Sequence, residues 1–543
     1  MALSAVNSRL RVVVIGAGPA GLCTATALRQ EGHSVTVLER RRDTQPLGHA
    51  LVIQPAAVRA LQYLKEADKA FSSVSVDAGA LRWWSYRDTK PFATSLPAET
   101  LSRAERRFQT DRPSVQKVLY ELAVANGVEL LFGRAVQGVQ DLGVKPRLWT
   151  TQGEKFTADL IIAADGIKSA TRKILFPARD VDPIPLRESI FLTSAPFSQL
   201  AQDARIAPWL EPGTKHGILG PDRFVLSRPM HGGLLGVQFI DVDHADPGPV
   251  DGNWNTPADI RLLRARFSDF NMTTRAFLEH IQHAEKWQMA TGAELGTWRS
   301  ASGRIVLLGD AAHAMLPHAA QGLSQGIEDA LSLARMLRWA SKSGGSGVDI
   351  PVVTKAWVNL RKPRADIFMK QSTSNAKIWS LPDGPEQEAR DETIRRMGTG
   401  PPPDLNGVEM DMAADQKSPQ FLKWARDYDV VLEGDGKGLI GVDRFPQKVL
   451  PHSVAQNETF TMETLDRRAA ANREIDNIKQ STIRLMKILT RERPGGRPPD
   501  DDPSDDDLPN HDPPPNNGWW QPIFDFFANM WGSIKSTFWG IFN

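Results

Sequence analysis

The first forty residues alternate between apolar runs of strand length and a run that favours a helix. Residues 12–15 are continuously apolar, residues 20–30 carry helix-forming side chains, and residues 34–38 form a second strand-like run. A short apolar run bounded by turn residues is typical of a buried strand. The pattern therefore predicts a strand–helix–strand unit whose two strands lie parallel in a buried sheet.

Glycines occupy the turn between the first strand and the helix, and an acid ends the second strand. Gly16, Gly18 and Gly21 have the spacing G-x-G-x-x-G, and Glu39 follows the second strand. Such glycines permit a tight turn, close approach of a pyrophosphate and close helix packing, while the acid can accept ribose hydroxyls. This combination predicts a dinucleotide site rather than a glycine-rich turn without a ligand. It leaves FAD and NAD(P) both open.

Two later stretches also place an acid after an apolar strand. Asp165 ends the run 158–166, and Asp310 lies within 303–337, before a long helix that begins near Gly322. In open parallel sheets, ligands bind beyond the carboxyl ends of the strands. Asp310 can accept a hydrogen bond from a sugar hydroxyl. Asp165 either faces a cofactor or caps the next helix, and these two roles are compatible.

Two helix starts are further candidates for cofactor contact. Arg112 precedes a helical pattern over residues 113–126. An arginine at a buried helix start can hold a phosphate or a ribityl oxygen. The helix that begins near Gly322 can point the positive end of its dipole at a ring that becomes anionic when it is reduced.

The middle of the chain lacks this alternation of strands and helices. Residues 176–290 are mostly strand-like, with strands over 189–194, 223–227 and 233–240, followed by one helix over 257–281. This change of pattern predicts a separate sheet domain inserted between pieces of the nucleotide-binding domain.

Composition and charge exclude several classes of protein. A net charge of +1, without basic runs interleaved with aromatics, argues against nucleic acid as a partner. Cys23 is the only cysteine, which excludes an intrachain disulfide and suits a reducing compartment. The histidines lack the spacing to cysteines or acids that a metal site requires. Without a signal peptide or a long apolar span, we expect a cytoplasmic protein.

The C-terminal segment differs from the rest of the chain. Residues 458–490 have the pattern of a polar helix, and residues 491–518 are rich in proline and aspartate, as in a disordered linker. Residues 519–543 carry Trp, Phe and Ile at intervals of three and four. This amphipathic pattern predicts a helix that docks on the protein or on another copy, or that lies at a membrane surface.

Together, these motifs resemble the FAD-dependent aromatic hydroxylases with the fold of para-hydroxybenzoate hydroxylase. Three marks of that family occur in order: the glycine turn at Gly16, Asp165 with Gly166, and Gly309 with Asp310. Residues 360–364, 381–391 and 424–429 resemble the fungal salicylate-hydroxylase-like branch of the family. The resemblance covers roughly residues 9–430.

The resemblance implies an α/β fold, with a discontinuous Rossmann-type FAD-binding domain, an inserted β-sheet substrate domain and a C-terminal helical extension. The FAD-binding parts are residues 9–80, 109–175 and 291–345, the substrate domain is 81–108 and 176–290, and the helical region is 346–490.

Site residues follow from the same resemblance. Glu39 would bind the adenosine ribose, Arg112 the ribityl or pyrophosphate region, and Asp310 the ribityl chain. The backbone of Ala50 would lie against the cofactor, at a position where family members often have glycine. The remaining contacts would be backbone N–H groups near the flavin pyrimidine, supplied by Gly322 and Leu323.

The implied chemistry uses FAD, NAD(P)H and O2 to hydroxylate or epoxidise a small aromatic, polyketide-like or alkaloid-like substrate through a flavin hydroperoxide. Arg187 lies where related enzymes carry an arginine near the ring and substrate, with a structural salt bridge as the alternative. His318 and His313 flank the flavin loop and could move a proton. Rival interpretations are a halogenase, epoxidase or reductase on the same fold, and a non-catalytic flavoprotein recruited to membranes by its tail.

Overall fold

A computed structural model describes nine stretches of the chain. These are residues 9–43, 48–77, 79–95, 107–177, 181–244, 255–343, 348–398, 408–413 and 418–434. The segments over 458–490, 491–518 and 519–543, for which the sequence predicts a polar helix, a linker and an amphipathic helix, lie outside these residues.

Strands and helices are numbered in chain order within the described stretches. The strands are β1 (Arg11–Ile15), β2 (Ser34–Glu39), β3 (Ala50–Ile53), β4 (Val76–Asp77), β5 (Leu81–Ser85), β6 (Ala93–Ser95), β7 (Phe108–Asp111), β8 (Glu129–Phe132), β9 (Val136–Gln140), β10 (Arg147–Thr150), β11 (Lys155–Thr157), β12 (Leu160–Ala163), β13 (Ile184–Pro196), β14 (Lys215–Gly220), β15 (Arg223–Met230), β16 (Leu234–Asp241), β17 (Asn255–Pro257), β18 (Glu285–Thr291) and β19 (Ile305–Leu307). The α-helices are α1 (Pro19–Gln30), α2 (Pro55–Leu61), α3 (Ala67–Ser73), α4 (Arg112–Ala125), α5 (Ala170–Leu175), α6 (Phe197–Leu200), α7 (Ile260–Arg266), α8 (Met272–His280), α9 (Asp310–His313), α10 (Gly322–Ser343), α11 (Ile350–Trp379), α12 (Pro385–Gly398), α13 (Pro419–Asp427) and α14 (Val430–Gly434).

A parallel sheet forms the centre of the first layer. Its strand order is β19-β12-β1-β2-β8, and every pair is parallel. The predicted strand–helix–strand unit is confirmed, because β1 pairs with β2 and α1 packs beside them. The carboxyl ends of β1, β12 and β19 therefore meet at one edge, where the glycine turn, Asp165 and Asp310 follow their strands.

An eight-stranded sheet forms the second layer, in the order β17-β18-β13-β16-β15-β14-β5-β6. Successive side chains point to opposite faces. One face packs Val225 and Val237 in a core cluster with α7 and α8, and the other carries Phe224 and Ile240. Strands β5 and β6 join this sheet through a parallel pairing of β5 with β14.

One helix prediction is wrong. The sequence pattern predicts a single helix over 257–281, but the structure has a short strand, β17, and two helices, α7 and α8. The chain breaks because Phe267 and Phe270 are buried in the sheet's core cluster, and Asn271 starts a new helix by accepting a hydrogen bond from the Thr274 N–H at 3.0 Å. A side-chain cap of this kind specifies a helix start inside an otherwise helical pattern.

The helical extension after the parallel sheet is confirmed as far as the described residues reach. Helix α11 runs for 30 residues and packs against α10. Arg364, on α11, holds α13 and the residues after it, because its guanidinium lies 4.6 Å from the ring centre of Trp424 and 4.3 Å from that of Tyr428. These stacked contacts fix the C-terminal helices to the first layer.

Candidate active site

The glycine turn between β1 and α1 is built from close backbone contacts. Gly16 has φ +101°, and its N–H donates to the Leu38 carbonyl at 2.8 Å. A Cβ on Gly21 would lie 2.1 Å from the Gly16 carbonyl oxygen, whereas a Cβ on Gly18 would meet no atom within 4 Å. Gly16 and Gly21 therefore serve the packing of the turn, while Gly18 leaves space on the side of a cleft.

Glu39 is fixed beside this turn. One carboxylate oxygen accepts the Ala17 N–H at 2.8 Å, and the other accepts the Arg41 N–H at 2.9 Å. The side chain is half-buried, so part of the carboxylate remains accessible next to the turn. Its role toward an adenosine ribose stays a prediction.

A deep cleft lies between the parallel sheet and the eight-stranded sheet. Its empty volume, including the open mouth, is about 1140 Å³. The predicted residues that line it are Gly18, Ala50, Arg112, Asp310, Gly322 and Leu323. The structure thus brings together residues that range from position 18 to position 323 in the sequence.

The loop that carries Asp310 is held from behind by buried groups. Gly309 has φ +60°, and its N–H donates to Asp329 at 3.1 Å. His313 Nε2 lies 2.6 Å from the same Asp329 oxygen. On the other side, the Arg172 guanidinium donates to the Ala311 carbonyl at 3.0 Å. The loop is therefore fixed on both sides before any ligand binds.

A buried ionic network extends this support to α11. Arg361 donates to Asp329 at 2.8 Å and to Glu328 at 2.7 Å, and all three side chains are fully buried. Burial alone would raise the pKa of Asp329, but His313 and Arg361 lower that pKa below its usual range. The network holds a charged carboxylate behind the loop. His313 thus contributes to positioning the loop, and its imidazole does not line the cleft.

Arg112 reaches the cleft from the start of α4. Its own N–H donates to the His49 carbonyl at 3.1 Å, which joins the helix start to β3. Its side chain lies against Gly48, where a Cβ would come within 2.7 Å of the Arg112 Cδ. Gly48, with φ +128°, therefore leaves room for the arginine to extend along the cleft wall.

Asp165 does not line the cleft, although its neighbours Ala164 and Gly166 do. Its carboxylate accepts hydrogen bonds from Ser169 Oγ at 2.6 Å and from the Thr171 N–H at 3.1 Å. Of the two roles open for Asp165, the structure shows the stabilisation of the turn before α5. Contact of this side chain with a cofactor stays a prediction.

His318 also lies outside the cleft. It is buried, and its imidazole pairs with the Glu188 carboxylate between the rings of Phe224 and Trp379. Pro317 and Ala320, on either side of it in the loop, line the cleft; they lie at the start and just after the end of the 3₁₀ turn Pro317–Ala319. The prediction that His318 moves a proton at the flavin loop is not supported by its position, because its imidazole pairs with Glu188 and does not line the cleft.

Arg187 is likewise placed on the surface. Its side chain is 63% exposed and forms a salt bridge with Asp243. The pairing of β13 with β18 is irregular between Pro185 and Ser189, so the strand bulges at this point. Its neighbour Glu188 turns inward to His318. The alternative of a structural salt bridge describes Arg187, and the expectation of contact with ring or substrate is corrected.

Sequence reasoning missed Arg228 and Gln238, which line the cleft from the eight-stranded sheet. Gln238 also donates to the Ala50 carbonyl at 3.1 Å and so ties the eight-stranded sheet to β3. Arg228 Nε is buried without a hydrogen-bond partner among the described residues. The only available signal was an arginine inside the strand pattern over 223–230.

The groups around the cleft fit a flavin dinucleotide. The start of α1 has no side-chain cap, so its free N–H groups face the space beside Gly18. Asp310 offers a carboxylate for a polyol, and the N-terminus of α10, at Gly322 and Leu323, offers further N–H groups. A parallel sheet with this glycine turn, joined across one cleft to a mixed sheet, defines a two-layer flavoprotein.

Comparisons with known proteins agree with this class. The family model described as "FAD binding domain" matches residues 9–349. The FAD-dependent monooxygenase OpS4 of Beauveria bassiana (strain ARSEF 2860) is 28% identical over 436 residues, covering 80% of this chain and 98% of the relative. The 3-amino-4-hydroxybenzoate 2-monooxygenase of Streptomyces cremeus is 30% identical over 395 residues, covering 72% and 93%. A solved salicylate hydroxylase substrate complex has a TM-score of 0.64 at 23% identity, covering 80% of this chain and 100% of that one.

This chain belongs to the FAD binding domain family, and it is an FAD-dependent monooxygenase. The predicted cofactor is thereby confirmed, and the choice that the glycine turn left open is settled for FAD. Within the described residues, no group of three or more His, Cys, Asp or Glu side chains is arranged to hold a metal ion, and no helix there is long and apolar enough to cross a membrane.

Proposed function

We propose that this protein hydroxylates a small aromatic substrate, with NAD(P)H as reductant and O2 as oxidant. The observation that carries the proposal is the continuity of the cleft. It runs from Gly18, past Asp310 and Gly322, to Arg228 and Gln238 on the face of the eight-stranded sheet. A dinucleotide held at one end therefore leaves room for a substrate between its ring and the sheet.

The roles proposed for the cofactor-binding residues follow from their positions. Glu39 would accept ribose hydroxyls, Asp310 would hold the ribityl chain, and Arg112 would neutralise phosphate. Bound FAD supplies the activation of O2 after reduction by NAD(P)H. The N–H groups of Gly322 and Leu323 would favour negative charge on the pyrimidine side, because the positive end of the α10 dipole lies there.

Apolar side chains would keep water away from the reacting atoms. The sheet face next to the cleft carries the partly buried Leu192, Leu226 and Trp83, packed on the cluster around Phe224. Exclusion of water matters in oxygen-activating flavoenzymes, since it prevents side reactions and strengthens electrostatic interactions within the site. The planar aromatic wall favours a planar, electron-rich substrate.

The proposal is tested by measuring NADPH and NADH oxidation, O2 consumption, H2O2 release and product formation by the purified full chain with a panel of phenols. We expect a phenol that speeds cofactor oxidation and is recovered with one added oxygen atom from 18O2. Oxidation that no substrate accelerates would contradict hydroxylation and favour a reductase. A halogenated product formed only with added halide would favour a halogenase.

Arg187→Ala provides a matched comparison for a substitution of Arg228, which lines the cleft. Because Arg187 lies on the surface, we expect this variant to keep its FAD and its product yield, whereas Arg228→Met should lose product. Loss of product in Arg187→Ala with normal FAD content would restore Arg187 as a catalytic residue and contradict the placement of the substrate proposed above.

We further propose that residues 519–543 attach the enzyme to a membrane surface. These residues lie outside the described part of the chain, so the support is the sequence pattern of Trp, Phe and Ile on one face. Deletion of 519–543 followed by membrane fractionation tests it. Unchanged partition of the shortened chain would rule out the anchor, and a change in oligomeric state alone would favour self-association.

A further inference from the structure

Met315 lies in the loop between α9 and α10, a few residues after Asp310. Its side chain lines the cleft and is only half-buried. A Cβ added to Gly322 would lie 3.9 Å from Met315 Cγ and 3.9 Å from Asp310 Oδ1. The Met315 side chain therefore packs beside two groups that are proposed to contact FAD.

The backbone on both sides of Met315 is held in place. The Ala314 carbonyl accepts the Gly292 N–H at 3.0 Å, and a Cβ on Gly292 would come within 3.1 Å of the same carbonyl oxygen. Further along the loop, Asn375 Nδ2 donates to the His318 carbonyl at 3.1 Å. The loop therefore cannot carry the Met315 side chain away from the cleft without breaking these contacts.

The other methionines of the described stretches lie away from the cleft. Met230 is buried, and its sulfur fills the space beside Gly236, where a Cβ would come within 2.5 Å of it. Met272 begins α8 on the surface and is 47% exposed. Among the described residues, Met315 is the only methionine that lines the cleft. It therefore meets molecules that are held there, whereas Met272 meets the solvent.

A thioether beside an oxygen-activating site is open to oxidation. When no substrate accepts oxygen, NAD(P)H, a proton and O2 give NAD(P)⁺ and H2O2. The lone pair of the Met315 sulfur can attack one peroxide oxygen, so that an S–O bond forms and the O–O bond breaks. The proton of the attacked oxygen passes to the departing hydroxide. Each H2O2 thus yields one methionine sulfoxide and one water, with the sulfur oxidised by two electrons.

The sulfoxide would place a polar group where the loop now carries an apolar one. Oxidation converts the flexible methionine side chain into a polar, chiral one whose oxygen accepts hydrogen bonds. Beside Gly322, this oxygen would compete for the N–H groups at the start of α10. It would also add a second acceptor next to the Asp310 carboxylate. Both changes oppose the binding of FAD.

We propose that Met315 is a site of self-oxidation, converted to its sulfoxide when the enzyme turns over without a substrate, and that this modification releases FAD. A substrate in the cleft protects the thioether, because it takes the oxygen atom itself. Methionine sulfoxide reductases reverse the change, which makes the site a reversible brake on wasteful turnover. The inference rests on the proposed use of NAD(P)H and O2, but not on which compound is hydroxylated.

The test supplies the FAD-loaded full chain with NADPH, NADH and 18O2, without substrate and with catalase to remove H2O2 that reaches the solvent. Peptide mass spectrometry reports the sulfoxide at each methionine. We expect about tenfold more 18O-labelled sulfoxide at Met315 than at Met230 or Met272, since susceptibility follows access to the oxidant. Labelling of Met315 no higher than that of Met272 would overturn the inference.

Two leucine variants separate the chemistry from the packing. Met315→Leu and Met230→Leu each nearly conserve side-chain volume. After the same number of turnovers without substrate, wild type and Met230→Leu should lose most of their FAD, measured as released flavin fluorescence against the content before turnover. Met315→Leu should keep its FAD, and methionine sulfoxide reductases should restore FAD binding to the wild type. Equal loss of FAD from Met315→Leu and wild type would overturn the proposed release.

Failure of this inference and failure of the proposed function give different results. Hydroxylated product from a phenol, with Met315 unmodified after turnover without substrate, would overturn the inference and leave the hydroxylation standing. Labelled sulfoxide at Met315, with no oxygenated product from any phenol, would support the inference and contradict the proposed hydroxylation.

Discussion

Gly21 lies so close to Gly16 that a Cβ at position 21 would stand 2.1 Å from the Gly16 carbonyl oxygen. The start of α1 and the end of β1 thus touch backbone to backbone. Gly18, between them in the sequence, lines the cleft, and a Cβ added there would meet no atom within 4 Å. The same short motif therefore contains a packing position and a ligand position.

This difference predicts opposite effects for two alanine substitutions. Gly21→Ala should lower the free energy of unfolding by about 1–3 kcal/mol, because the backbone atom it meets cannot move aside easily. Gly18→Ala should fold normally but bind FAD more weakly, since its methyl group occupies the cleft. Urea unfolding of the apoproteins and FAD titration measure the two effects. Equal stability of the two variants would contradict the assignment.

The buried Arg361 should be required for stability and for the flavin loop. Arg361→Met removes one charge from the buried network and leaves Glu328 with Arg364 and Asp329 with His313 as partners. We expect a loss of about 3–5 kcal/mol in the free energy of unfolding. Because Asp329 also holds the Gly309 N–H, FAD retention should fall as well. Arg396→Met, whose side chain is 78% exposed, is the control, with an expected change below about 0.5 kcal/mol. A similar small effect of both variants would show that the network is dispensable.

Asp241 should make the free energy of unfolding fall as the pH is lowered into the acid range. Burial would raise its pKa, but Arg266 and His244 lower that pKa to about 2, against an ordinary value of 3.8. A lowered carboxylate pKa stabilises the fold above about pH 4, and the contribution is lost as the pH falls toward about 2. We expect about 1–2 kcal/mol at pH 7, allowing for the partial exposure of Arg266.

Urea unfolding of Asp241→Asn and wild type between pH 7 and pH 3 tests this dependence. The difference in the free energy of unfolding should shrink as the pH falls. Glu121→Gln, in an exposed pair, should differ little from wild type at any pH. A difference for Asp241→Asn that stays constant with pH would show that the effect comes from packing and not from charge.

Substitution by glycine should be less destabilising at Ala320 than at Ala319. Ala320 has φ +49° and ψ +39°, a left-handed conformation that costs alanine about 1–2 kcal/mol. Ala320→Gly should therefore raise the melting temperature or leave it unchanged. Ala319→Gly, within the right-handed turn, should destabilise by about 0.5–1 kcal/mol. Scanning calorimetry of the FAD-loaded variants would contradict this account if Ala320→Gly proved the more harmful.

Local steric rules account for the features that the sequence predicted well. The glycine turn, the strands around it and the start of α10 were predicted from neighbouring residues, since the positive φ of Gly16 and its contact with Gly21 are set within a few positions. Asp310 follows its strand directly, and so its place at the sheet edge could also be inferred from the chain.

The direction of a side chain was harder to infer. Asp165 lies at the expected strand end, yet its carboxylate turns to Ser169 because that hydroxyl is four residues away and within reach. Arg187 was expected in the cleft, but the bulge in β13 leaves it on the surface and turns Glu188 inward. Arg228 faces the cleft only because of how two sheets, distant in sequence, pack together. Bulges and sheet packing depend on partners that a single strand pattern does not reveal.

The flavin content of Asp310→Ala, measured beside Asp165→Ala, tests most directly the claim that three distant turns form one FAD site. Asp310 lines the cleft, whereas Asp165 stabilises its own turn. The account predicts that Asp310→Ala purifies without bound FAD, and that Asp165→Ala keeps about one FAD per chain but melts at a lower temperature. Normal FAD content in Asp310→Ala would contradict it.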